Sequence, residues 1–176
     1  PIIGSPLFSQ LPQLQQKAIV LRTMLQRKHY SPRAVDDSLS HHLFNTIIEN
    51  ADPRRLLFTA PEYKQLQAFQ YMLDDEINGN GWAFFDKLSV LYKNALLRAD
   101  TIIQSLTQSS FDFSTDETIS QSRHNNTFNF SADRTALFKL WGRFLKFRML
   151  DEMYDQASAD SLDKRKFKEA IQVFEP

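Results

Sequence analysis

The chain has no cysteine in its 176 residues. That excludes a disulfide framework, a thiolate metal site and a cysteine nucleophile. It fits a reducing compartment and equally an exported bacterial protein, so it leaves location open. Glycine is almost as scarce. Gly4, Gly79, Gly81 and Gly142 are the only four, and none belongs to a phosphate-cradling pattern such as GxGxxG or GxxxxGK[ST]. Nucleotide-binding α/β folds are excluded on that ground. Six of the seven prolines fall by Pro61 and the last is Pro176, so residues 62–175 carry no proline at all. Few forced breaks suit long helices. No excess of one charge exists either: 21 basic against 21 acidic residues give a formal net charge of zero, which removes the main argument for a nucleic-acid binder. No apolar run approaches the roughly 20 residues a bilayer-spanning helix needs.

What remains is an ordinary globular balance, 42% hydrophobic and 24% charged, in a 20.5 kDa chain long enough for one domain. Residues 1–12 hold three prolines and a glycine and read as an extended arm. Residues 13–176 read as one helical domain. The first helix, from about Pro12 to Lys28, places Leu14, Ala18, Leu21 and Leu25 on one face. A second opens near Asp36, with Val35, Leu39, Leu43, Ile47 and Ala51 at steps of four, Phe44 and Ile48 beside them, and Pro53 as its stop. Thr59-Ala60-Pro61-Glu62 combines an N-cap, a first-turn proline and a capping-box glutamate. It predicts a third helix that carries Tyr63, Leu66, Phe69, Leu73 and Ile77 to the turn Asn78-Gly79-Asn80-Gly81. A long helix follows from Trp82 to about Leu106, with Phe84, Leu88, Leu91, Ala95, Ala99, Ile102 and Leu106 inward.

Residues 107–132 are rich in Ser, Thr, Asn, Gln and Asp. They form one long polar loop, expected to pack poorly, with Phe111–Phe113 and Phe128–Phe130 as a conceivable β-arm pair. Two N-x-[ST] patterns there, at Asn125 and Asn129, have little weight in so Asn/Ser/Thr-rich a stretch. A final strong helix starts near Ser131 or Asp133 with Leu137, Leu140, Phe144, Phe147 and Tyr154 on one side, and Trp141, Leu145 and Met149 widen that face. Ser161–Phe174 reads as a last short amphipathic helix. The expected fold is a single all-α bundle of five to six helices, with the Phe84–Leu106 and Leu137–Tyr154 helices at its centre.

Candidate chemistry is thin. His41-His42, with Glu49 and Asp52 nearby, invites a metal reading. Adjacent histidines point about 100° apart on a helix, and no HExxH or Glu-x-x-His pair accompanies them, so surface or partly buried histidines are the better reading. Asp74-Asp75-Glu76 reads as a solvated acidic run. Residues 1–35 contain Lys17, Arg22, Arg27, Lys28 and Arg33 and no acid. A solvated helix back or attraction to the acidic run explains them better than nucleic acid or an anionic lipid surface. Arg143, Lys146 and Arg148 interleave with Phe144, Leu145 and Phe147, a pattern that core packing with snorkelling cations explains without a ligand. No GxSxG, SxxK or carboxylate pair frames a nucleophile. No catalytic, cofactor-binding or metal-binding residue is assigned, and no cofactor is called for.

One stretch goes further. Arg22–Tyr30 ending in His29-Tyr30, a helix from Asp36 to Asn50, and the run Asp52-Pro53-Arg54-Arg55-Leu56-Leu57-Phe58-Thr59-Ala60-Pro61-Glu62-Tyr63 resemble the N-terminal helical region of tail-specific proteases, the carboxyl-terminal processing proteases of bacteria. Asp112-Phe113 and the Leu140-Trp141 helix follow in the same order, so the resemblance spans about Arg22 to Ala157 and omits Ser161–Pro176. It implies an exported protein, periplasmic or in the cell envelope, in which this region precedes a PDZ domain and a serine protease domain with a Ser-Lys dyad. Neither is in this chain, which then reads as a fragment of a longer serine-type endopeptidase. No catalytic residue carries over. The implied function is a non-catalytic N-terminal domain that positions substrate, an adaptor or the protease core. The implied partners are the PDZ and protease domains of the same polypeptide. The competing expectation is an independent helical protein-interaction module with no protease attached.

Overall fold

A computed structural model describes residues 11–31, 34–108, 110–115, 117–119 and 129–159. These described residues contain six helices: α1 Leu11–Lys28, α2 Asp37–Ala51, α3 Ala60–Gln67, α4 Leu73–Ile77, α5 Ala83–Thr107 and α6 Arg134–Ala159. Among the described residues there is no strand, and one parallel bridge joins Thr59 to Ser131. The fold is an all-α bundle, as the periodicity indicates. The expected arm over residues 1–10 and the expected helix over 161–174 lie outside the described residues, as does Phe128.

Helix starts follow their local chemistry. Asp36 caps α2 by accepting the Leu39 N–H at 3.1 Å, and Asp133 accepts the Ala136 N–H at 2.8 Å at the start of α6. These bonds satisfy donors that a helix N-terminus leaves without partners. The turn before α5 uses Gly79 and Gly81 at φ 103° and 102°, a backbone region that side chains resist. The start of α5 is capped from outside. Glu76 Oε1 accepts the Phe84 N–H at 2.7 Å, while the cap residue Trp82 supplies no side-chain bond. The reading of Asp74-Asp75-Glu76 as a solvated face is therefore corrected at Glu76, which is buried and serves the next helix.

The single helix expected over 62–77 is two. Residues 68–72 form a turn whose bonds run three residues back, such as Phe69 N–H to Leu66 O and Met72 N–H to Phe69 O. Buried Ser40 of α2 holds the break: its hydroxyl donates to Gln70 O at 3.1 Å and accepts the Leu73 N–H at 2.7 Å. A partner 30 or more residues away satisfies the backbone groups that the interruption releases.

Two apolar clusters make the core. Phe44, Ile48, Phe58, Leu66, Leu73, Phe84, Leu91 and Ala95 join α2 to α5, and Leu56, Ala99, Ile102, Leu137 and Trp141 join α5 to α6. Leu57 packs against both. Helix α5 is the spine, and Trp141 is buried as its neighbours imply. Further along α6 the expected inward face gives out: Met149 and Tyr154 are exposed, and Phe147 is half-buried.

Helix α1 departs most from expectation. Leu14, Leu21 and Leu25, expected to be core, are exposed, the last two by more than half. The side that docks carries Gln15, Ile19, Arg22 and Thr23. Gln15 donates to Gly81 O at 2.8 Å, Arg22 donates to the Asn78 side-chain oxygen, and Ile19 lies 3.8 Å from the Cβ position of Gly79. Helix α1 packs against α4, which carries Asp74, Asp75 and Glu76; among the described residues no ion pair joins them.

Candidate functional site

The residues that carry the family-like pattern converge on the link between α2 and α3, residues 52–59. Asp52 ends α2 and is 1% exposed. Its carboxylate accepts three successive backbone N–H groups, Leu56 at 2.8 Å, Leu57 at 3.0 Å and Phe58 at 2.9 Å. Pro53 stops the helix, and one acid then satisfies the donors of the turning chain. Burial pushes the Asp52 pKa above the usual carboxylate range, against the downward pull of those three N–H donors and of Arg55. Arg55 adopts a positive φ of 55°. Its guanidinium returns to Asp52 O at 3.0 Å and lies 4.5 Å over the Phe130 ring.

The carbonyls of the same link are met by other helices. Trp141 Nε1 of α6 donates to Leu56 O at 2.8 Å, and Arg98 Nη2 of α5 donates to Leu57 O at 2.6 Å. Arg98 also forks onto Glu62 of α3, Nη1 to Oε1 at 2.7 Å and Nη2 to Oε2 at 2.8 Å. Such a bidentate pair is among the stronger charge-assisted arrangements. Glu62 Oε2 accepts in addition from the Thr59 N–H and hydroxyl, both at 2.8 Å. Burial raises the Glu62 pKa, but the hydrogen bonds from Arg98 and Thr59 outweigh it and hold the group below its ordinary value. The capping box read from Thr59 and Glu62 is therefore also half of an interhelix clamp. Ala60 N–H donates to Ser131 O at 2.8 Å, and Phe130 stacks on Tyr63 at 4.4 Å between ring centres. This fastens the end of the polar loop to the hub.

The Asp52 and Glu62 oxygens accept from donors of the link and of α5. Arg98 and Ser40 were missed at the level of sequence, although each carried a signal. Ser40 precedes Phe44 and Ile48 at steps of four, and Arg98 lies three after Ala95 and four before Ile102. Each is a polar side chain on an otherwise apolar stripe.

The other singled-out residues lie apart. His41 stacks on Tyr71 at 5.6 Å and, like His42, is exposed. Among the described residues no group of three His, Asp or Glu could hold a metal. His29 packs beside Tyr30 and accepts the Ser31 N–H at 3.2 Å. In the polar loop, Asp112 accepts the Ser114 hydroxyl at 2.6 Å and its N–H at 2.9 Å, which hold the Asp112 carboxyl below its usual range. The loop is not uniformly loose. Phe113 and Ile119 join Phe147 and Leu150 of α6 around a cleft of about 520 Å³. Lys146 reaches Glu117 at 3.2 Å and the Thr115 hydroxyl at 3.2 Å. An ion-paired ammonium has no lone pair with which to activate that hydroxyl. A second groove, about 550 Å³ and mostly apolar, lies between α1 and α2, with Leu21, Leu25, Leu39, Leu43 and Ile77 in its walls.

These features define an all-α domain whose most elaborate polar construction is an internal clamp. The sequence model of the tail specific protease N-terminal domain matches residues 21–174, and the chain belongs to that family. The match reaches past Ala157 into the segment that the resemblance omitted. No curated protein matches the chain. Among the described residues, no helix is long and apolar enough to cross a membrane.

Proposed function

We propose that this domain acts without catalytic groups of its own, as the N-terminal part of an exported tail-specific serine protease. It positions substrate, an adaptor or the protease core during proteolysis. Membership of the family supplies the protease context. The observation that carries the non-catalytic part is the use of the two acids of the link: buried Asp52 is spent on backbone donors, and half-buried Glu62 on Thr59 and Arg98. A general base must reach its substrate's proton, and these cannot. The clamp makes α2, α3, α5 and α6 one stiff unit, which suits a part that sets the distance and angle between other parts. The cleft that Phe113, Thr115 and residues 117–119 form with α6 offers this unit a mixed polar and apolar contact surface. The PDZ and protease domains expected in the same polypeptide are its first partners, and the periplasm or cell envelope its compartment.

The test is hydrolysis of an unstructured protein substrate by three species: this chain, the full parent protein, and the parent lacking these residues. The expected result is no cleavage by the chain alone and an altered substrate range or rate in the truncated parent. Turnover by the isolated chain would overturn the non-catalytic reading. An unaltered truncated parent would remove the positioning role.

A further inference from the structure

Among the described residues, helix α1 shows an exposed face. Lys17, Val20, Leu21, Met24, Arg27 and Lys28 recur at steps of three and four, so they share one side of the helix. Val20, Leu21 and Met24 are 57%, 58% and 56% exposed. Lys17 precedes them by a turn, Arg27 and Lys28 follow by a turn, and all three cations are exposed. Tyr30, just past the helix end, is 96% exposed. No acid occurs anywhere in residues 1–35. Leu21 also borders the groove against α2, whereas Val20 and Met24 do not.

We infer that the outer face of α1 rests on an anionic phospholipid surface, with Val20, Leu21 and Met24 at the acyl boundary and Lys17, Arg27 and Lys28 among the headgroups. The physics has three parts. Exposed apolar side chains gain by leaving water. The flanking cations are drawn to anionic lipid and can reach back to the headgroups along their flexible stems. A tyrosine beside the helix end suits the interfacial zone, where an apolar ring carries a polar tip. A convex face with cations at both ends fits a deformable sheet of negative charge better than a shaped pocket on another protein. The helix would lie in the interface plane and would not span the bilayer. The inference is independent of the role in proteolysis.

The experiment is co-sedimentation of the chain with vesicles of one part phosphatidylglycerol to two parts phosphatidylcholine, and with phosphatidylcholine alone. Two variants accompany it, Lys17→Gln/Arg27→Gln/Lys28→Gln and Val20→Ser/Leu21→Ser/Met24→Ser. Both leave Gln15, Ile19 and Arg22 to dock α1, and circular dichroism checks that they fold. The expected result is binding to the anionic vesicles only, weakened about fivefold for each cation removed, lost in the serine variant, and released by about 1 M salt. Equal binding to both vesicle types, or undiminished binding by either variant, would overturn the inference. No vesicle binding, with a concentration-dependent dimer that the serine variant abolishes, would assign the face to a second copy of the chain and overturn it likewise.

Discussion

The link at residues 52–59 and helix α1 both sit beside α2, and they are built in opposite ways. In the link almost every polar group is paired across elements: Asp52 with three backbone N–H groups, Leu56 O with Trp141, Leu57 O with Arg98, Arg98 with Glu62. Helix α1 has a clean apolar repeat, yet docks through an amide, an arginine and one isoleucine, and leaves Leu14, Leu21 and Leu25 exposed. The difference teaches that an apolar stripe states only that a face seeks cover, whereas a buried acid with several donors states where the chain is held.

The largest effect expected on this contrast comes from Trp141. Trp141→Ala deletes a buried aromatic and the donor to Leu56 O, and should cost roughly 3–5 kcal/mol. Urea unfolding measures it, and a loss near zero would break the claim that α6 is clamped to the link. Next is Asp52→Ala, which leaves three N–H groups of the link without their acceptor. At about 1 kcal/mol each the loss is about 3 kcal/mol, again read from urea unfolding, with Asp52→Asn falling between it and the parent. A substitution on the other side of the comparison, Leu21→Ser on α1, should change stability by less than about 0.5 kcal/mol. A cost comparable to Asp52→Ala would mean that α1 is part of the core.

Acid sharpens the same contrast. Glu62 is held below its ordinary value in the folded state. Its contribution to stability is therefore present above the unfolded pKa and lost as pH falls through the folded one. Glu76 is raised by burial and, secondarily, by Asp86, against the Phe84 and Ala83 N–H groups, so its contribution runs the other way. It is present at low pH and lost as pH rises through the folded value. Thermal melts from pH 3 to 8, on about the interval where carboxylates titrate, should show that Glu62→Gln flattens the acid-side fall. Glu76→Gln should remove a loss on the neutral side. A Glu76→Gln melt that falls further behind the parent as pH rises would contradict that sign.

Much of the fold was legible because its signals are local. The caps at Asp36 and Asp133, the Thr59–Glu62 box, the glycine turn at 79–81 and the long stripe of α5 each rest on residues within a few positions of one another. What was not legible rests on partners far along the chain. The break between α3 and α4 is held by Ser40, the start of α5 by Glu76, and the capping glutamate is completed by Arg98, 36 residues on. Polar side chains set into apolar stripes hinted at Ser40 and Arg98, but the hint does not name the partner. The polar loop was half read. Its composition excludes a helix, yet Phe130, against Tyr63, Phe58 and Arg55, and Glu117, against Lys146, anchor it by contacts that composition does not show. The acidic run hid a buried member because Asp75 and Glu76 differ only in where the helix turns them.

Amide hydrogen exchange under native conditions tests the central claim, that the link is the fixed centre of the domain and α1 its loosely held edge. The N–H groups of Leu56, Leu57 and Phe58 should exchange only through global unfolding and be among the slowest in the chain, while those of Val20, Leu21 and Met24 exchange through a smaller opening at lower free energy. Equal protection in the two sets, or faster exchange in the link than in α1, would contradict it.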